Sequence, residues 1–320
     1  MEESAWRGMA VSDRPHLARF PRSSCADHRE AAFAMPTKQE RKERMVRRRR
    51  FWSSLALCPA ILLLGAGAGA DATSVRELAY GKDVSQRLDF YPSRRAEAPL
   101  IIFVHGGGWS SGDKSDEEGI AKIGHFLDEG YAYASVNYRL VPDVKVEEQV
   151  QDVADAVGSL VSRSAELGFA RNRIFLMGHS SGGHVAALIG TDPVFLERAG
   201  VDVSSIAGVI LLDGAGLDPS VNPRPARPGG AFGSPADRQR LAPVGHAAAP
   251  NARSFLMLNA QSTDLQAQAG SLRDALEKQG TPAAVHIIPG RDHNALNYEL
   301  GTKGDMATSI IDAYLSKSLN

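Results

Sequence analysis

The chain has 320 residues, 43% of them hydrophobic and 23% charged, which is enough for a sizeable core in one large domain or two small ones. The formal net charge of -1 is unevenly spread: residues 1–70 carry 13 Lys+Arg against 7 Asp+Glu, and the remainder carries 23 against 30, a net of -7. That balance excludes an electrostatic claim on nucleic acid or an anionic membrane.

In chain order, residues 1–44 are polar, Arg-rich and non-periodic, and read as a disordered tail or as sequence ahead of the true start, with Met45 a natural first residue. Arg47 to Arg50 then precede an apolar run, Leu55 to Leu64, and the small residues Ala68-Gly69-Ala70. This order predicts a signal peptide over 45–70, cleaved before Asp71, and hence an exported protein, periplasmic or secreted. The run is shorter than the roughly 20 apolar residues of a spanning helix; an uncleaved membrane anchor is the alternative. Cys25 and Cys58 both lie in this leader, so residues 71–320 contain no disulfide, thiolate nucleophile or Cys metal site.

From about residue 75, strand-like and helix-like segments alternate. "QRLDFYPS" predicts an early strand, and "PLIIFVHGG" a strand buried on both faces and ending in glycines. A helix over "DEEGIAKIGHFLDEG" and the strand "YAYASVNYRL" follow. Val146, Val150, Val153, Val157, Leu160 and Val161 recur at helical spacing. Then come the strand "RIFLMGHS", a helix starting at "SGGHVAALIG", the strands "IAGVILLDGA" and "SFLMLNA", a helix over about 263–279, the strand "AVHIIPG" and a terminal helix. Such alternation predicts an α/β domain over 71–320, a mostly parallel central sheet with helices on both faces. Ligands in such sheets bind beyond the carboxyl ends of the strands. Residues 214–250 are dense in Pro and Gly and read as a small, irregular, lid-like insertion.

Two glycine-rich turns carry the chemistry. In "GHSSGG", a nucleophile on a sharp strand-to-helix bend needs small residues two positions away on each side. Gly178 and Gly182 flank Ser180 in this way, matching the G-x-S-x-G elbow. Ser181 fails as the nucleophile because His179 occupies the position two before it. Its backbone amide, next after the nucleophile, would still serve the oxyanion. "VHGGGW" follows another buried strand, where the amides of Gly107 and Gly108 would complete an oxyanion hole. His105 would brace that loop, and Trp109 would wall the pocket for the substrate.

A serine hydroxyl needs a base and a group to orient that base. Among the later histidines, His184 lies one helical turn past the nucleophile, His246 in the insertion, and His286 within the last strand. His293 stands just past that strand, at the sheet's carboxyl edge, and is the expected base. For the acid, Asp264 follows the strand "SFLMLNA" by a few residues and is the expected partner. Asp213, at the end of "VILLD", is its rival, and Asp292 is disfavoured as the immediate neighbour of His293.

"HGGGWSSGDK", "VNYRLVP" and "MGHSSGGHVAAL" together resemble the α/β-hydrolase superfamily over about residues 75–318. The nearest likeness is its HGGG-type esterase/lipase group, which spans hormone-sensitive-lipase-like carboxylesterases, acetyl-xylan or feruloyl esterases and kynurenine formamidases. The resemblance implies a Ser180–His293–Asp264 triad, oxyanion amides from Gly107, Gly108 and Ser181, and no metal or organic cofactor. The implied activity is hydrolysis of a small-molecule carboxylic ester, with short acyl groups, through an acyl-enzyme. An arylformamidase-type amide hydrolase and a non-catalytic binding protein on the same scaffold are the rivals. The segment "LMLNAQSTDLQAQA" departs from the apolar-HG-x-x-D pattern frequent in relatives.

Overall fold

The computed structural model describes residues 74–115, 120–221, 231–248 and 250–319. The expected leader 45–70 and the tail before it lie outside the described residues.

Among the described residues eight strands form one sheet: β1 (Arg76–Ala79), β2 (Arg87–Tyr91), β3 (Ala98–Val104), β4 (Ala132–Val136), β5 (Phe169–His179), β6 (Ile206–Leu212), β7 (Phe255–Asn259) and β8 (Ala283–Ile287). Their spatial order is β1-β2-β4-β3-β5-β6-β7-β8. β1 and β2 pair antiparallel, β2 pairs antiparallel with β4, and every later pairing is parallel. β1 is absent from the sequence expectation, because four residues with alternate positions exposed give no apolar run to read.

The main helices are α1 (Ile120–Asp128), α2 (Val146–Ser162), α3 (Ser181–Thr191), α4 (Pro235–Arg240), α5 (Thr263–Lys278) and α6 (Met306–Leu319). β3, β4, β6 and β7 are buried throughout, and β5 is buried from Ile174 to His179, so their alternate residues feed two separate cores. On β3, Leu100, Ile102 and Val104 face one core, with Val150 and Val157 of α2, Leu188 of α3 and Leu272 of α5. Ile101 and Phe103 face the other, with Phe126 of α1 and Ile311 and Leu315 of α6. The architecture is therefore a mostly parallel sheet with helices on both faces. Every residue of α3 is buried, and its Gly182, Gly183, Ala186 and Ala187 let it lie close against the middle of the sheet. The insertion is less irregular than its composition suggests: it contains α4 and a 3-10 turn, Pro243–His246.

Candidate active site

The carboxyl ends of β3, β5, β6 and β8 bring the functional side chains to one edge of the sheet. β5 ends at His179 and α3 begins at Ser181, so Ser180 alone makes the bend, with φ 54° and ψ -119°. A non-glycine residue held there costs about 1–3 kcal/mol. Two backbone bonds hold the bend: the Ser180 N–H donates to Leu212 O (3.0 Å) and the Ala215 N–H to Ser180 O (3.1 Å). The flanking glycines are needed sterically. A Cβ on Gly178 would stand 2.2 Å from Gly182 O, and one on Gly182 would stand 2.2 Å from Val104 O. Ser181 points into the core and is fully buried. Its amide, first in the helix, is among the donors that no helical carbonyl reaches.

Val104 leads from β3 into the second glycine turn. Gly107 and Gly108 take positive φ (118° and 61°), as does Trp109 (63°). The turn lies against the elbow: a Cβ on Gly106 would come within 3.2 Å of Ser180 Cβ. The carbonyl of Gly107 accepts from Ser110 N, Ser111 N and Ser111 Oγ at 3.2, 3.1 and 2.9 Å. The carbonyl of Trp109 accepts from Val141 N (3.0 Å) and from Gln149 Nε2 (2.7 Å). His105 braces this loop, stacked on Tyr138 at 4.5 Å, and the Tyr138 hydroxyl donates to His105 O (2.9 Å).

His293 stands in the loop after β8 with its side chain 40% exposed, and its Nδ1 lies 2.7 Å from Oδ2 of Asp213. That contact corrects the expected acid. The carboxylate against His293 belongs to Asp213, fully buried at the end of β6, and not to Asp264. Chain geometry gives the reason. Asp213 turns sharply out of β6 at φ 50°, beside β5, and so comes under the imidazole. β7 instead ends at Asn259, and Asp264 falls in the first turn of α5, where a carboxylate complements the helix dipole. The second oxygen of Asp213 accepts from Asn259 Nδ2 and Ala260 N, both at 3.2 Å. Composition offered no sign of Asn259. The acid at the end of "VILLD" and the departure of the β7 segment from the usual pattern were the readable signs of Asp213.

The other histidines have other partners. His184 is fully buried; its Nε2–H donates to Leu241 O (2.7 Å) and its Nδ1 accepts from Trp109 Nε1 (3.4 Å). Burial pulls its pKa down to about 4. Its ring meets Trp109 and Phe232 edge-on, and Trp109 and Phe232 meet at 4.9 Å. This aromatic cluster ties the insertion to the second glycine turn. His246 lies 3.4 Å from Asp192, and His286 lies on β8, on an exposed part of that strand. A cavity of about 330 Å³ opens beside the His293–Asp213 pair rather than over Ser180, lined by both residues with Ala260, Gln261, Ser262, Gly290, Arg291 and Asp292. Among the described residues no group of three or more His, Cys, Asp or Glu is placed to hold a metal ion.

Comparisons with known proteins point to esterases. The BD-FAE family model matches residues 88–199, a span that holds both glycine turns and stops before Asp213 and His293. Esterase LipC of Mycobacterium tuberculosis is 31% identical over 146 residues, 42% of this chain and 36% of that protein. A probable isoprenylcysteine alpha-carbonyl methylesterase of Oryza sativa subsp. japonica is 29% identical over 154 residues, 47% and 36% of the two chains. The chain thus spans about a third of the length of these curated relatives. Among solved structures, esterase B from Lactobacillus rhamnosis superposes with a TM-score of 0.63 at 19% identity, covering 88% of this chain and 93% of that one. A propionate-bound esterase of Thermogutta terrifontis gives 0.61 at 23% identity, covering 77% and 95%. The superpositions show that the fold is shared with these esterases, and the sequence relatives that match over part of their length are esterases.

Proposed function

We propose that this chain, an α/β-hydrolase fold with esterase/lipase relatives, is a serine hydrolase of carboxylic esters that acts through a Ser180–His293–Asp213 triad. The observation that carries the reading is the 2.7 Å bond between His293 and the buried Asp213, on the sheet edge where Ser180 makes its strained bend. With Nδ1–H given to Asp213, His293 Nε2 is left as the lone pair. It takes the proton of Ser180 Oγ as that oxygen attacks the ester carbonyl, and Asp213 stabilises the imidazolium that forms. The amides of Gly107, Gly108 and Ser181 receive the oxyanion; losing one such donor typically costs about 10²–10³ in rate. Collapse with proton return from His293 releases the alcohol and leaves an acyl group on Ser180. Water then attacks with His293 again as base.

A preference for small acyl groups is part of the reading, supported by the bulky Trp109–Phe232 ring pair, 4.9 Å apart, beside the glycine turn at 106–108. Export is part of the reading, supported by the cationic, apolar and small-residue order of residues 47–70. The test is hydrolysis of p-nitrophenyl esters from acetate to decanoate by the full chain and by Ser180→Ala. Turnover that peaks at short chains and disappears in the variant supports the reading. Equal rates in parent and variant overturn it, and turnover of an aryl formamide alone replaces the ester by the amide.

A further inference from the structure

His179 takes no part in attack, proton transfer or oxyanion binding, yet it is buried at the centre of the site. Its Nε2 lies 2.8 Å from the backbone carbonyl oxygen of His293, and the two rings pack at 4.6 Å with their planes 41° apart. On its other side a Cβ at Gly106 would stand 3.0 Å from His179 Nδ1. The ring is therefore wedged between the oxyanion turn, the elbow and the loop of the base. Donation to a carbonyl requires the hydrogen on Nε2, so Nδ1 is bare.

Other contacts shape the His293 loop without tying it to β5. Asp292 accepts from the amides of Asn294 (2.9 Å) and Ala295 (2.7 Å). Arg291 reaches Glu299 (2.5 Å) and Asp305 (3.0 Å). The bond from His179 joins the backbone of the base to the residue immediately before the nucleophile.

We propose that His179 is a positioning residue, whose Nε2–H fastens the main chain of His293 to the nucleophile strand and so fixes the approach of the base to Ser180. The proposal rests on the serine-hydrolase reading above. The charged and titratable groups acting on this ring are His293, Lys122 and Asp213. Burial, then the charge of His293 and more weakly that of Lys122, pulls the His179 pKa down to about 4, with the bond to the His293 carbonyl and, behind it, Asp213 opposing. The ring is thus neutral where an esterase works and adds no positive charge beside the imidazolium of His293.

A packing role alone would be satisfied by any large ring, whereas the positioning role needs a donor at the reach of Nε2. His179→Phe keeps a ring and removes the donor, His179→Gln restores a donor near the Nε2 position, and His179→Asn holds its donor about one bond short. Kinetics on p-nitrophenyl acetate should show kcat of His179→Phe down by about 10–100-fold with KM within about threefold, since misplacement of about 1 Å can cost 10². His179→Gln should exceed His179→Asn in kcat by about tenfold, a comparison that stands even if His179→Phe fails to fold. Phe at parental kcat, or Gln and Asn equal, overturns the proposal. Absence of turnover and of fluorophosphonate labelling in the parent would overturn the serine-hydrolase reading instead.

Discussion

The side-chain amide of Asn259 donates to Oδ1 of Asp213 at 3.2 Å, on the oxygen that His293 does not use. Two donors from the end of β7 thus hold a carboxylate that belongs to β6. Hydrogen bonds to a charged group are worth about 1.5–3 kcal/mol. Asn259→Leu, which keeps the volume but not the donor, should lower kcat on a short ester by at least roughly tenfold. Unchanged kcat in a folded variant would mean that the Ala260 amide suffices.

Exchanging the two candidate acids separates them directly. Asp213→Asn leaves a neutral amide against Nδ1 and favours the wrong imidazole tautomer, and kcat should fall by about 10⁴. Asp264→Asn, in the first turn of α5, should keep kcat within a few-fold. The reverse ranking would return the role to Asp264.

The bend at Ser180 predicts a trade between stability and activity. Glycine adopts positive φ without penalty, so Ser180→Gly should melt higher than Ser180→Ala by a few degrees, corresponding to about 1 kcal/mol. Neither should turn over ester. Thermal unfolding followed by circular dichroism decides the ranking, and equal melting temperatures would show that the bend carries no strain.

His184 and His179 make folding acid-sensitive. Their folded pKa values, both about 4, lie below the unfolded value near 6.5. Below pH 6.5 the unfolded chain therefore binds protons that the native state refuses, and stability falls as pH drops from 6.5 toward 4. His184→Gln retains a donor for Leu241 and removes one titration. Its loss of unfolding free energy between pH 6.5 and 4.5, from urea titrations, should be about 2–3 kcal/mol smaller than the parent's, at ~1.4 kcal/mol per pH unit. Parallel losses would place the proton uptake elsewhere.

The sheet, its helices and both glycine turns were legible in the sequence because each is written locally. β3 and β6 are continuous apolar runs, and Gly178 is fixed by the backbone of Gly182 four residues on, although Gly182 is itself fixed by Val104 across the sheet. Asp213 was harder to read. Its partner lies 80 residues along the chain, and choosing between the ends of two neighbouring strands depends on a single positive φ. Asn259 and His179 left no local trace, since each acts through a contact made only when strands and loops assemble.

Placing the acid on β6 frees a different part of the molecule. Ser180 is held by backbone bonds to Leu212 and Ala215, and Asp213 by its N–H to Leu258 O and by Asn259 and Ala260, so neither of these proposed reacting groups depends on the path of the chain after Ala260. Gln261 and Ser262 line the cavity beside His293, and none of the three proposed reacting residues lies on that segment. This segment is where evolution, or a designer, can alter loop length and chemistry to fit new alcohols while the reacting atoms keep their places.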